Sequence, residues 1–134
     1  MTNAATMHNT LAVAIRALTQ AEIHVNNLAY PTSHPEAKQF MEMVNEPFDV
    51  LPASFYAKTS SGDLREQLRA KVNGLKTVLA ASGATNPNSK RLELQEYQIW
   101  NQNNVAITGA HSAAANLAVI SEAYINGVSK VFHW

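Results

Sequence analysis

The hydrophobic positions of the N-terminal segment recur at alternating spacings of four and three residues. This alternation is typical of a heptad seam and predicts one amphipathic helix. The helix is expected to end near Tyr30, because Pro31 disfavours helical geometry in the residue before it. The positions concerned are Met7, Leu11, Ala14, Leu18, Ala21, Val25 and Leu28, with Ile15 beside them.

Two further helices are predicted from their start signals. Ser33-His34-Pro35-Glu36 combines a cap, a proline in the first turn and an acidic residue at the positive end of the helix dipole. Asp63 and Glu66 have the spacing of a capping box, and Ser82-Gly83 is a typical helix end. The predicted apolar faces are Ala37, Phe40, Met43 and Val44 in one helix and Leu64, Leu68, Val72, Leu75 and Leu79 in the other.

The segment from Pro47 to Tyr56 lies between these helices and is apolar but interrupted by Pro52. We expect it to form a short turn of helix or an irregular flap packed on the core. No clear alternation of apolar and polar residues, the pattern of a strand, is recognised in the chain.

The last segment begins at Asn86-Pro87 and contains no later proline. Its apolar residues keep heptad-compatible spacing, which predicts a long C-terminal helix. Two alternatives remain open for this segment: a kink near Asn101–Gly109, or a division there into two helices. The prediction is an all-α protein with a single domain over residues 1–134, a bundle of four to five helices. The apolar positions are Leu92, Ile99, Ala106, Ala110, Ala113, Leu117, Ile120, Tyr124 and Val131.

Composition narrows the classes of partner. Ten basic and ten acidic residues cancel, and charged residues make up only 15% of the chain. A neutral chain lacks the long-range field that attracts nucleic acid or an anionic membrane, although Lys90 and Arg91 form a local basic pair. There is no cysteine, no signal-peptide pattern and no apolar run long enough to span a bilayer. These features predict a cytoplasmic protein, with a place in a virion as the alternative.

Small residues in the last helix suggest a contact surface. Small residues recur every four positions in two rows, Gly109 and Ala113 in one and Ala110, Ala114 and Ala118 in the other. Another helix could therefore approach closely along this surface. That helix is either the first helix of the same chain or a second subunit. Two C-terminal aromatic residues, Phe132 and Trp134, are predicted to fold back on the chain or to contact a neighbouring subunit.

No chemical motif stands out. The five histidines are scattered without the spacing of a metal site, and no catalytic or cofactor-binding pattern occurs. The leading hypothesis is a non-enzymatic helical protein that self-assembles or binds a partner protein, of the kind found among viral or phage structural and accessory components. The alternative is a helical bundle that binds a small ligand near Tyr97, Trp100 and His111, next to an amide-rich stretch.

Overall fold

The computed structural model of the chain describes residues 2–25, 27, 35–44, 48–84 and 86–133. Over these residues the protein is an α/β structure, so the prediction of an all-α bundle is wrong. In chain order the elements are α1 (Thr2–Leu18), α2 (Pro35–Met43), β1 (Val50–Lys58), α3 (Leu64–Ala80), β2 (Arg91–Trp100), α4 (Gly109–Ile125) and β3 (Val128–His133). Short 3₁₀ turns, Thr59–Ser61 and Pro87–Ser89, precede α3 and β2.

The three named strands form a parallel sheet in the order β1-β2-β3. Parallel neighbours need crossover connections, and α3 and α4 provide them. Because such crossovers are almost always right-handed, two that step in the same direction place their helices on one face of the sheet. A short segment extends the sheet beyond β1, where the Val25 amide donates to the Val50 carbonyl (3.1 Å) and the Val50 amide donates to the Ile23 carbonyl (3.3 Å).

β2 replaces the first part of the predicted C-terminal helix. Leu92 and Leu94 face the core and Glu93 faces away, which is a strand pattern. The pattern is hidden because Gln95 is an extra residue: Ala53 pairs with Leu94, and the next pair joins Ser54 to Glu96. The alternation then resumes in the opposite phase, so the buried residues Tyr97 and Ile99 appear out of step with Leu92 and Leu94 in the sequence.

β1 replaces the predicted irregular flap, even though it contains Pro52. Proline lacks an N–H group and is normally excluded from inner strands. The amides of a strand point alternately to its two sides, and the Val50 amide points away from β2, towards Ile23. The nitrogen of Pro52, two residues later, points the same way, so the ladder to β2 loses no hydrogen bond.

α1 is shorter than predicted, because it ends at Leu18 rather than near Tyr30. The Thr19 hydroxyl accepts a hydrogen bond from the Ala21 amide (2.9 Å), which turns the chain out of the helix. The β-branched residues Ile23 and Val25 then enter the sheet edge and are buried. Leu28, Tyr30 and Pro31 lie outside the described residues.

Two predicted helices are confirmed. α2 begins at Pro35, and α3 begins after Asp63, whose carboxylate accepts from the Arg65 amide (2.7 Å). The predicted face of α3 is buried at Leu68, Val72, Leu75 and Leu79. Ser33 and His34 lie outside the described residues.

The long C-terminal helix is a wrong prediction, and its expected kink is instead the junction between β2 and α4. Asn101 forms the turn there: its side-chain oxygen accepts from the amides of Asn103 (2.8 Å) and Val105 (3.1 Å). Beyond α4, Gly127 adopts φ 84°, a left-handed conformation that lets the chain reverse into β3.

The helices pack in chain order, with α1 against α2, α2 against α3 and α3 against α4. α3 also packs on β1 and α4 on β3. α1 and α4 are therefore the two ends of the helix row. In the part of the chain that the structure describes, they do not pack against each other.

A buried carboxylate connects the last two helices of this row. Glu122 of α4 is 6% exposed, and its Oε1 accepts from Nε of Arg69 in α3 (2.9 Å) and from Nδ2 of Asn126 (2.9 Å). Hydrogen bonds from Arg69 and then Asn126 hold the pKa of Glu122 below its usual value. The ionised carboxylate thus stabilises the contact between α3 and α4.

The Glu122→Gln variant is expected to lose stability at neutral pH and to show a weaker acid dependence. A folded-state pKa below the unfolded one contributes stability above the unfolded value, and this contribution is lost as pH falls through the folded pKa. The difference in unfolding free energy between the parent and the variant should therefore shrink as pH falls below about 4.5. Urea denaturation at several pH values measures it, and Arg69→Met should give the same trend. A difference in unfolding free energy that does not change with pH would contradict this account.

Candidate functional site

The apolar face of α1 points to solvent. Met7 is 61% exposed, Leu11 53% and Leu18 87%, whereas the residues that α1 buries most deeply are Ala5 and Ala12. We call one exposed line of apolar residues on this helix the α1 stripe; it consists of Ala4 and four residues of the predicted heptad seam, Met7, Leu11, Ala14 and Leu18. Ile15, beside it, is 43% exposed. The α1 stripe therefore faces solvent rather than the protein's own core.

Small and polar residues on the opposite side attach α1 to the rest of the protein. The His8 ring meets the Phe48 ring edge-on at 6.4 Å, and Arg16 forms an ion pair with Asp49. The side-chain Nδ2 of Asn9 donates to the backbone carbonyl of Met43 (2.9 Å). Because these contacts hold one side of α1 against the rest of the protein, its large apolar side chains lie on the side that faces solvent.

Two titratable groups show how this attachment side is buried. Burial lowers the pKa of His8, which favours the neutral imidazole. For Asp49, burial raises the pKa, but hydrogen bonds from the Ile23 amide (2.9 Å) and from Arg16 outweigh it and the net pKa is lowered. Asp49 therefore remains ionised and pairs with the only charged residue of α1.

An open groove of about 380 Å³ runs beside the α1 stripe. Its walls are apolar except for two histidines. One of these, His24, accepts at Nδ1 from the side-chain Nε2 of Gln95 (2.8 Å) and contacts Glu22 Oε1 through its own Nε2 (2.6 Å). The groove shares three residues with the stripe, so a helix lying on the stripe would also cover part of it. The lining residues are Ala4, Met7, His8, Leu11, Ala12, Ile15, Ile23, His24 and Phe40.

α4 carries a second exposed apolar face. Leu117 is 67% exposed, Tyr124 55% and Ile120 36%, while Val119 and Ala123 on the other side are fully buried. We call the exposed set the α4 stripe: Ala110, Ala113, Leu117, Ile120 and Tyr124. The only charged residue of α4 is Glu122, which is turned inwards to Arg69. The outer face of α4 therefore carries no aspartate, glutamate, lysine or arginine.

The predicted interface residues fall mostly on this outer surface. Gly109, Ala110, Ala113 and Ala114 are exposed, and Ala118 is half-buried. Phe132 of β3 is 50% exposed, and Trp134 lies outside the described residues. Within the described chain α1 packs on α2, so α1 is not the helix that lies on this small-residue ridge.

The predicted ligand residues are not brought together. Tyr97 is buried on the helix side of the sheet, where its ring meets His133 edge-on at 4.9 Å and burial raises the pKa of its phenol. Trp100 lies three residues later on the opposite face and stacks on Tyr56 at 5.3 Å. His111 is exposed on α4. The apolar groove found here lies elsewhere, beside α1.

The face of the sheet opposite the helices carries charges of both signs. Glu93 is only 1% exposed, and its Oε1 lies 3.2 Å from Lys130 Nζ and 4.0 Å from Arg91 Nε. Arg91 also pairs with Glu22, and a hydrogen bond from Arg91 and another with His24 lower the pKa of Glu22. Because cations and carboxylates neutralise each other here, this face offers no net charge to an ionic ligand.

Sequence reasoning missed the α1 stripe as a surface, although the heptad seam was its signal. The predicted contact surface was placed only at the C-terminal half of the chain. Periodicity shows which residues share a helix face, but it does not show whether that face meets the core or solvent.

Other classes of site receive no support from the described residues. No three histidine or carboxylate side chains among them are placed to bind a metal ion. No described helix has the length and apolar character needed to cross a membrane. The two apolar stripes and the adjoining groove are the candidate functional surfaces. Comparison with known proteins finds no family model, no curated protein and no solved structure that matches this chain.

Proposed function

We propose that this protein functions by association rather than by chemistry, and that it assembles with other copies of itself through the apolar faces of its helices. The observation that carries the proposal is the orientation of α1. This helix buries two alanines, turns half-buried polar residues to the rest of the protein, and exposes its methionine and leucines. A helix folded for a monomer normally turns its apolar face to the core.

The size of the exposed surface supports a binding role. Complete burial of one leucine or methionine side chain is worth about 1.5–3 kcal/mol. Met7, Leu11 and Leu18 each expose more than half of their surface, as do Leu117 and Tyr124 on α4. Contiguous apolar surface of this kind marks interaction sites on soluble proteins.

The charges also favour contact with a like molecule. Arg16 is the only charged residue of α1 and is paired with Asp49, and Glu122 of α4 is paired with Arg69. The whole chain has a formal charge of zero. Two copies can therefore approach without net repulsion and without removing an unpaired charge from water.

The Leu18→Asp variant should associate at least about 10-fold more weakly than the parent protein. Loss of about 1.4 kcal/mol corresponds to that factor, and removal of one buried leucine accounts for it. Sedimentation equilibrium over a range of concentrations measures the effect. The Leu18 side chain is 87% exposed in the monomer, so the fold should be unchanged by circular dichroism.

A matched control is Val13→Asp, which adds the same charge to the same helix. Val13 is 58% exposed and lies outside the α1 stripe. We expect this variant to associate as the parent does. A parent protein that stays strictly monomeric at high concentration would refute the proposed function, and equal effects of both substitutions would refute the role of the stripe.

A further inference from the structure

The two apolar stripes have matching lengths and spacings. The α1 stripe occupies positions 4, 7, 11, 14 and 18, and the α4 stripe occupies positions 110, 113, 117, 120 and 124. Both follow spacings of 3, 4, 3 and 4 residues, and both span about 21 Å at 1.5 Å per residue. This spacing is the one used by helices that pack side by side with a small crossing angle.

The two stripes cannot cover each other within one chain. α1 and α4 lie at opposite ends of the helix row, with α2 and α3 between them. If the stripes are complementary, their contact must therefore join different copies.

Side-chain size distinguishes the two directions of packing. In an antiparallel alignment, Ala4 lies opposite Tyr124, and Leu18 lies opposite Ala110. Each end then combines a large residue with a small one, as close packing requires. In a parallel alignment, Ala4 would meet Ala110 and Leu18 would meet Tyr124, which leaves a gap at one end and crowds the other.

The centre of the antiparallel alignment is also well matched. Leu11 lies opposite Leu117 and Met7 opposite Ile120, while Ala14 opposite Ala113 permits close approach of the backbones. The helix dipoles oppose each other in this direction, since the start of α1 lies beside the end of α4. No unpaired charge of either helix lies on the contact, as shown by the pairs of Arg16 and Glu122.

We infer that the α4 stripe of one copy packs antiparallel on the α1 stripe of the next copy. This inference rests on the proposed self-association and adds its geometry. The contact uses two different surfaces of the chain, so each copy keeps one free stripe after pairing with another. Such a contact produces a ring when the rotation between copies closes, and a filament when it does not.

Two blocked variants test the pairing. Leu11→Asp blocks the α1 stripe and leaves α4 available, whereas Leu117→Asp blocks the α4 stripe and leaves α1 available. Both leucines are more than half exposed, so each variant should fold, as circular dichroism can verify. Each variant alone is expected to be monomeric by light scattering, and an equimolar mixture is expected to form a dimer with one copy of each.

Several results would overturn this pairing. A dimer of Leu117→Asp alone would show that α1 pairs with α1, and a dimer of Leu11→Asp alone would show that α4 pairs with α4. A mixture that stays monomeric while the parent assembles would place the contact elsewhere. A parent protein that is monomeric would instead refute the proposed self-association itself. Failure of the pairing and failure of the proposed function therefore give different results.

The absence of cysteine allows the direction to be tested by disulfide formation. A copy carrying Ala14→Cys, mixed with a copy carrying Ala113→Cys and oxidised, is expected to form a mixed disulfide, because the residues are aligned opposite each other. The control mixture joins Ala4→Cys to Ala110→Cys, which lie about 21 Å apart along the antiparallel pair, far beyond disulfide reach. A mixed disulfide in the control but not in the first mixture would overturn the antiparallel direction.

Discussion

Replacement of Leu94 by alanine is expected to lower the free energy of unfolding by about 2–5 kcal/mol. Leu94 is completely buried at the centre of β2, between its partners Ala53 in β1 and Val131 in β3. The smaller side chain loses apolar burial and leaves a cavity that the two flanking strands cannot fill. A loss of this size is a large part of the 5–15 kcal/mol that is typical of a folded domain.

Urea denaturation at low protein concentration measures this loss, and Leu117→Ala provides the matched control. The chemical change is the same, but Leu117 is 67% exposed on α4. Its replacement should change stability by no more than about 0.5 kcal/mol in the monomer. Similar losses for the two variants would mean that β2 does not occupy the core.

Replacement of Lys130 by methionine is expected to lower the free energy of unfolding by about 1–3 kcal/mol, because it removes a cation from a buried carboxylate. Glu93 is only 1% exposed, and Lys130 is the cation closest to its Oε1, at 3.2 Å. Arg91 remains at 4.0 Å, which limits the loss. A second change, Glu93→Gln, should restore part of the stability, since the amide carries no charge.

The control for this prediction is Lys38→Met, which breaks the exposed pair between Lys38 and Glu42 within α2. Exposed pairs at this spacing contribute only about 0.3–0.5 kcal/mol. Thermal or chemical denaturation of Lys130→Met, of Lys130→Met combined with Glu93→Gln, and of Lys38→Met measures the loss of stability in each. If Lys130→Met is no more damaging than Lys38→Met, or if Glu93→Gln destabilises it further, the buried carboxylate does not depend on Lys130.

The helices with local start signals could be predicted from the sequence. α3 combines a capping aspartate with regularly spaced leucines, and both features act within the helix itself. α2 begins at Pro35, as its first-turn proline indicates. These signals need no information about distant parts of the chain.

The strands could not be predicted in the same way, because their stability depends on distant partners. Pro52 is tolerated in β1 only because its nitrogen points away from β2, which depends on the pairing of Val50 with Ile23. In β2, the seven-residue separation of Leu92 and Ile99 fits a helical repeat as well as a bulged strand. Local pattern therefore favoured a helix where long-range pairing forms a sheet.

The candidate surface was predicted only in part. The small residues of α4 were expected to contact another helix, and most of them lie on its exposed side. The seam of α1 was recognised as a repeat but expected inside a bundle, whereas the protein exposes it. Val25 was included in that seam although it belongs to the sheet edge, because a β-branched residue also fits a helical repeat.

The extra residue in β2, Gln95, reverses whether the even-numbered or the odd-numbered residues of the strand face the core. Before Gln95 the even-numbered residues Leu92 and Leu94 face the core, and after it the odd-numbered residues Tyr97 and Ile99 do so. Loss of Gln95 would remove the bulge and leave Leu94, Glu96 and Tyr97 in ordinary alternation, so the core side chains on both sides of it would keep their directions. A change of length is also expected to be tolerated in the turn at 101–104, because one residue more or less there changes no side chain's direction in the sheet.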